Sequence, residues 1–275
     1  MFQRIIVPID GSAQSWTAAK VGAVIADACD ADLELTTVVF EADQTDVAVA
    51  EMRGSLEHLS SLAVEPSLSA LTARPATDDT VGAVLARHAE AVNGSMIVMS
   101  STGRDRSAAV LGSVADDVLR ELFGPIIVVG PHVTEFESFA GDIVVPVDGS
   151  DFSETTLPLA ASWGIAFGAT PWIVEVLTEP VPAGLDVFES SYPSRLAHDL
   201  QTQSHHDVEF EVLHGPSAAK AITDYAGHNK ASLIMMSTHG RTGMQRLSMG
   251  STAAAVVRSA SSPVVLHRPP HFALG

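Results

Sequence analysis

Asp10 and Asp148 are the residues best placed for chemistry. Each closes a short apolar run and leads into Gly-Ser, as Pro8-Ile9-Asp10-Gly11-Ser12 and Pro146-Val147-Asp148-Gly149-Ser150. A carboxylate at a strand exit can accept hydrogen bonds from ribose hydroxyls or approach a phosphate-bound divalent cation. Farther along each half lies a second kind of loop, Gly103-Arg104 through Gly112-Ser113 and Gly240-Arg241 through Gly250-Ser251. Glycines there let backbone amides reach a ligand, and Gly-Ser opening a helix presents N–H groups and a positive dipole end. Arg104, Arg106, Arg241 and Arg246 add scarce positive charge beside these loops. The chemistry this equipment suits is anion binding, phosphate above all.

The elements that position these loops occur twice. Ile5-Ile6-Val7-Pro8-Ile9-Asp10-Gly11-Ser12 returns as Ile143 to Ser150, 138 residues on. Met96 to Arg104 returns as Leu233 to Arg241 at an offset of 137, and Gly112-Ser113 and Pro125 to Val129 return at 138 again. A period this long marks duplicated domains rather than a solenoid, whose repeats run roughly 20–50 residues. The expected division is residues 1–134, a linker at 135–141 within the aperiodic stretch Val133–Gly141, and residues 142–275.

Each half alternates apolar runs with amphipathic stretches. Strands are expected at Arg4–Ile9, Leu33–Val39, Ser67–Leu71, Met96–Ser100 and Ile126–Val129, and helices near Ser12–Ala28, Asp46–Ala63, Thr77–Ala91 and Ser113–Leu122. The second half repeats this, with strands Ile143–Val147, Trp172–Leu177, Val208–Leu213, Leu233–Ser237 and Val264–His267. Its helices fall near Ser153–Phe167, Phe188–Gln203, Ser217–Gly227 and Ser251–Ala260, with a longer loop over Glu179–Ser194. Runs apolar throughout belong to a parallel sheet covered on both faces. Strand–helix alternation then predicts an α/β fold of two tandem doubly wound five-stranded parallel-sheet domains. Ser12 and Ser153 are read as helix N-caps, and Pro216 as a first helical residue.

Bulk properties narrow the partners. With 15 Lys and Arg against 33 Asp and Glu, the formal charge of −18 speaks against nucleic acid, which needs clustered basic residues. No apolar run approaches the ~20 residues of a membrane span. The chain runs from Met1 directly into a strand without a signal-peptide pattern, so a cytoplasmic location is expected. The single cysteine, Cys29, reads as a small packed side chain.

The motifs quoted above resemble the universal stress protein family, in the tandem form with two such domains in one chain. The resemblance spans both halves and rests on Pro-x-Asp-Gly-Ser, the Ile234 to Gly243 run Ile-Met-Met-Ser-Thr-His-Gly-Arg-Thr-Gly, and the closing Pro-Val-Val strand. It implies a Rossmann-like nucleotide-binding fold (the adenine nucleotide α-hydrolase-like architecture) and ATP as cofactor, with magnesium through the nucleotide. The family pattern Gly-x2-Gly-x9-Gly-[Ser/Thr] appears here as Ser237-x2-Gly240-x9-Gly250-Ser251. The first half has Ser100-x2-Gly103-x8-Gly112-Ser113, one loop residue shorter, which favours the second domain as the ATP site.

By matching position, the resemblance puts adenine beside Val39 in the first domain and Val176 in the second. Ribose and metal contacts fall to Asp10 and Asp148, and phosphates to Gly103, Gly112, Ser113 and Val114 or to Gly240, Gly250, Ser251 and Thr252. Pro8, Ile9, Met99 and Ser100, and Pro146, Val147, Met236, Ser237 and Arg241, complete the two sites. The implied function is a regulatory role in the stress response; a scaffold with degenerate sites and a slow ATP hydrolase are the alternatives. Relatives in the family pair domains across the last strand, which a tandem chain can satisfy as an internal pseudo-dimer. A further homodimer and an unknown protein partner stay open.

Other signals carry less. His205-His206-Asp207 with His198 lacks a second ligand pair at zinc-like spacing and reads as solvated polar residues. His239, where the first half has Thr102, could contact a ligand. Neither a Gly-x-Ser-x-Gly elbow nor a Gly-x4-Gly-Lys-[Ser/Thr] loop is present. Trp16, Trp163 and Trp172 read as packing residues.

Overall fold

The computed structural model describes residues 2–59, 64–74, 79–103, 112–122, 124–179, 190–239 and 249–268. Two compact units meet in sequence between Glu137 and Ser138. The first contains β1 (Arg4–Pro8), α1 (Ala13–Cys29), β2 (Asp32–Val39), α2 (Thr45–Gly54), β3 (Ser67–Thr72), α3 (Val81–Glu90), β4 (Ser95–Ser100), α4 (Ser113–Glu121) and β5 (Pro125–Val129). Its strand order is β3-β2-β1-β4-β5, all parallel. Ile5, Ile6, Val7, Ile97, Val98 and Ile126 to Val129 are fully buried. A strand apolar on both faces has nowhere stable except between two helical layers.

The second unit contains β6 (Asp142–Val147), α5 (Asp151–Glu154), α6 (Leu157–Phe167), β7 (Thr170–Leu177), α7 (Ser191–Ser204), β8 (Glu209–His214), α8 (Ala218–His228), β9 (Leu233–Ser237), α9 (Ser251–Ser259) and β10 (Val264–His267). Its order, β8-β7-β6-β9-β10, is again all parallel. Both sheets therefore reverse their winding beside the first strand, between β1 and β4 and between β6 and β9. That reversal is where an open α/β sheet leaves a crevice at its carboxyl edge. The doubly wound architecture is the one expected.

Several local readings need correction. The first helix of the second unit is broken, and Ser150 caps it in place of Ser153: its Oγ accepts from Ser153 N at 3.3 Å. The chain turns at Thr155-Thr156 and resumes as α6, with Pro158 in its first turn. Proline cannot occupy the interior of one continuous helix, because it lacks an N–H and clashes with the carbonyl four residues back. Pro216 lies just outside α8, whose N-cap is Ser217. The helix expected to reach Ala63 ends at Gly54, followed by a 3-10 turn over Leu56–Leu59; residues 60–63 lie outside the described part. Phe139, read as linker, is buried against Trp163 and Phe167, with ring centroids at 6.1 and 5.5 Å. An isolated aromatic has no period to reveal it, but its burial ties residues 138–141 to the second unit. Among the described residues no helix is long and apolar enough to cross a membrane.

Candidate functional site

The strand-one exit is built identically in both units. Asp10 Oδ1 accepts from Ser12 N at 2.9 Å and from Ser12 Oγ at 2.6 Å. Ser12 Oγ in turn accepts from Ser15 N at 3.2 Å, capping α1. Gly11 between them has φ 82°, a left-handed conformation that glycine adopts without penalty. In the second unit Asp148 Oδ1 accepts from Ser150 N at 3.1 Å and Oγ at 2.5 Å, and Gly149 has φ 80°. One carboxylate oxygen is thus spent on holding the turn. The other, Oδ2 of Asp10, is turned toward Gly103, where a Cβ would lie only 2.9 Å away.

The strand-four exit is pinched at its base. Gly112 N donates to the Ser101 carbonyl at 2.8 Å, and Gly250 N to the Thr238 carbonyl at 2.9 Å. The first loop is one residue shorter than the second, yet the pinch and the helix start match. Residues 104–111 and 240–248 are outside the described part, and with them Arg104, Arg106, Gly240, Arg241 and Arg246. The pinch also explains both glycines: a Cβ at Gly112 would meet Ser101 O at 3.3 Å, and one at Gly250 would meet Thr238 O at 3.1 Å.

Helix openings differ in a telling way. Ser12, Thr80, Ser150 and Ser217 each accept a first-turn amide through their side chains. α4 and α9 open on Gly112 and Gly250, which have no side chain to do so. The amides of Ser113 and Val114, and of Ser251 and Thr252, therefore begin helices without an internal acceptor, the arrangement that binds anions. α4 carries Asp116 in its first turn, whereas the first turn of α9 has no acid.

These parts enclose one cleft in each unit. The first, about 470 Å³, is lined by Pro8, Ile9, Asp10, Met99, Ser100, Gly103, Gly112, Ser113 and Val114, all anticipated from sequence. The second, about 480 Å³, is lined by Pro146, Val147, Asp148, Val176, Met236, Ser237, Gly250, Ser251 and Thr252. Both volumes suit a small organic ligand. Val39 is not among the lining residues; Val38 is. Strand register explains this: Pro8 pairs with Thr36 and Pro146 with Val174, so the counterpart of Val176 is Val38.

Sequence reading missed the helical wall, Val81 and Leu85 of α3 and Ala218 and Ile222 of α8. Their i, i+4 spacing was a usable signal once the crossover helix was known to pass the switch point. It also missed Thr36, Thr37, Ser101 and Thr102 in the first cleft. His239 lines the second, its Nδ1 2.8 Å from Thr238 Oγ1 and its backbone N donating to Ser237 Oγ at 3.3 Å.

No group of three or more metal-ligating side chains occurs among the described residues. Asp10 and Asp148 could take part in holding a cation only with oxygens supplied by a ligand. His206 is a structural residue: its Nε2 lies 2.8 Å from the Ala169 carbonyl and its ring packs on Gly164. Cys29 is half-buried, and burial pushes its thiol above the ordinary range.

A doubly wound parallel sheet with an Asp-Gly-Ser turn facing a glycine-opened helix across the switch point defines an α/β domain of the nucleotide-binding type, here present twice. The universal stress protein family model matches residues 1–130 and 141–268, and the chain belongs to that family. A universal stress protein of Methanocaldococcus jannaschii is 29% identical over 149 residues, covering 49% of this chain and 85% of that protein. One from Mycobacterium tuberculosis strain H37Rv is 29% identical over 187 residues, covering 63% of this chain; the chain spans 61% of its length. The structure of a universal stress protein from Archaeoglobus fulgidus shares the fold with a TM-score of 0.65 at 17% identity, covering 96% of this chain and 98% of that one. A candidate universal stress protein of Pseudomonas aeruginosa gives 0.68 at 18%, over 98% and 94%.

Proposed function

We propose that this chain is a cytosolic ATP-binding regulator of the stress response, holding nucleotide in its two clefts and more tightly in the second. The observation that carries this reading is the contrast in helix openings. α1, α3, α5 and α8 each spend a Ser or Thr side chain on a first-turn amide; α2, α6 and α7 lack such a cap too, but among the described helices only α4 and α9 open on a glycine at a cleft and leave their first amides to a ligand. The triphosphate would lie on the amides of Ser113 and Val114 or of Ser251 and Thr252. Ribose would lie against Asp10 or Asp148, and adenine beside Val176 in the second cleft and Val38 in the first. Magnesium would be held chiefly by the phosphates, with Asp10 or Asp148 contributing.

Preference for the second cleft has an electrostatic basis. Asp116 sits in the first turn of α4, where its negative charge, only partly offset by Arg120 at 3.7 Å, opposes an anionic ligand, and α9 has no acid there. His239 stands where the first unit has Thr102, and it lines the second cleft. Regulation requires that nucleotide favour one of two conformations, since a ligand with equal affinity for both shifts nothing.

The test is calorimetry with ATP and magnesium on the full chain, Gly250→Glu and Gly112→Glu. Gly250→Glu should abolish the tighter binding, because its side chain meets Thr238 O and its charge opposes phosphate; Gly112→Glu should remove only the weaker. Circular dichroism of each variant checks folding. Melting that is unmoved by millimolar ATP in the unmodified protein would refute the reading, because ligand binding must raise Tm by linkage.

A further inference from the structure

α3 meets α4 at a crossing that leaves no room for a side chain. A Cβ built at Gly82, in the first turn of α3, would lie 2.3 Å from Asp117 Cβ and 2.9 Å from both the Val114 carbonyl oxygen and Val118 N. Carbon atoms in ordinary contact stand about 3.5–4.0 Å apart. Gly82 is not among the glycines with positive φ, so space and not backbone conformation requires it. A glycine within a helix otherwise costs stability. In the second unit Ala219 and Ala255 stand at the matching positions, since Val81 and Leu85 match Ala218 and Ile222, and Ser113 matches Ser251. Two Cβ atoms cannot approach to 2.3 Å, so α8 and α9 are held farther apart there.

Both sides of this crossing belong to the first cleft. Val81 and Leu85 of α3 form its helical wall, and Ser113 and Val114 open α4 at its other end. The carbonyl that a methyl group at position 82 would strike is Val114's own. α3 is anchored to the sheet. His88, on the same helix face as Val81 and Leu85, has Nε2 2.8 Å from Glu34 Oε1 on β2, and Arg4 on β1 donates to the His88 carbonyl at 2.8 Å. Glu34 accepts in turn from Arg4 at 3.0 Å and from Ser69 on β3 at 2.6 Å. A widened crossing is therefore taken up by α4, beyond its tie at Gly112.

We infer that Gly82 is a positioning residue of the first cleft: by admitting α4 to backbone contact with α3, it fixes the amides of Ser113 and Val114 relative to the wall of Val81 and Leu85. This rests on the reading of that cleft as a nucleotide site with phosphates on those amides. The α3 wall then faces the nucleoside, α4 holds the phosphates, and Gly82 sets the separation between them. Opening the crossing by about 1 Å takes an N–H···O contact of about 2.7–3.2 Å out of range. The nucleoside end, bounded by β1, β2 and the anchored α3, is left as it was.

The experiment uses the full chain carrying Gly250→Glu, so that the first cleft is read alone. ATP with magnesium is titrated by calorimetry, and adenosine by ligand-observed NMR, which reads millimolar affinity, each with and without Gly82→Ala. Gly82→Ala should weaken ATP about tenfold or more, the loss of a hydrogen bond to a charged group, and change adenosine by less than about twofold. A merely loosened fold would weaken both alike. Circular dichroism checks folding. Where the single variant does not fold, Gly82→Ala with Asp117→Gly is compared with Asp117→Gly alone; this removes the nearest contact and keeps the two at 2.9 Å. Equal losses for the two ligands, unchanged ATP, or adenosine that does not bind overturns the inference and leaves the nucleotide reading standing. No ATP binding to the first cleft before substitution at position 82 overturns both.

Discussion

Gly103 lies against Asp10 so closely that a Cβ would come 2.9 Å from Oδ2, while Oδ1 of the same carboxylate is held by Ser12. The exits of β1 and β4 are thereby set face to face, and a methyl group at position 103 has to displace the carboxylate. Rotation of Asp10 would release Ser12 N and Oγ, and with them the geometry of the α1 cap. Gly103→Ala should lose about 1 kcal/mol of stability, the scale of a cap or a hydrogen bond. It should also weaken ATP in the first cleft severalfold and leave the second unchanged. Denaturant melts and two-site calorimetry check both outcomes.

Asp116 opposes an anion at the head of α4. Asp116→Asn should tighten ATP binding in the first cleft by about two- to fivefold at low salt, the size of a charge–dipole contact. The gain should shrink as salt rises, because at 0.1 M charge–charge interactions are screened over about 10 Å. No change at low ionic strength would remove the electrostatic account of why the clefts differ.

Asp30 closes α1 with φ 51°, whereas its counterpart after α6, Gly168, has φ 65°. A left-handed cap strains a residue with a Cβ and suits glycine. Asp30→Gly should therefore stabilise the first unit by roughly 0.5–1 kcal/mol, visible as a Tm higher by a few degrees. Gly168→Asp should do the reverse.

His267 closes β10 with its Nδ1 buried and without a hydrogen-bond partner among the described residues. Burial holds its pKa below the ordinary 6.5. With the folded value depressed, the unfolded chain binds the extra proton first as pH falls. Stability contributed by the neutral ring is whole above pH 6.5 and is lost progressively below it. His267→Val, the residue type at the matching Val129, should flatten the fall in Tm between pH 7 and 5. An unchanged slope would place the acid sensitivity elsewhere.

Local features were legible in the residues themselves. The duplication shows as motifs returning 138 residues on, and the all-apolar strands, the Asp-Gly-Ser turns and the glycine-opened helices each depend on neighbours within a few positions, so the chemistry of adjacent residues settles them. The break before α6 was missed although Pro158 announced it, because the Ser153 cap matched the apolar pattern equally well until Ser150 was seen to cap.

The sequence alone indicated two parallel-sheet domains, each with an Asp-Gly-Ser turn and a glycine-opened helix. Tertiary structure decided what those loops face. Strand register made Val38 the counterpart of Val176, the pinch between Gly112 and Ser101 set the start of α4, and the packing of β1, β2, β3 and α3 brought Arg4, Ser69 and His88 onto Glu34. Arg4, Glu34, Ser69 and His88 lie about 30 or more positions apart from one partner or another. No short-range pattern encodes such a meeting; it exists only once the sheet has chosen its order and register.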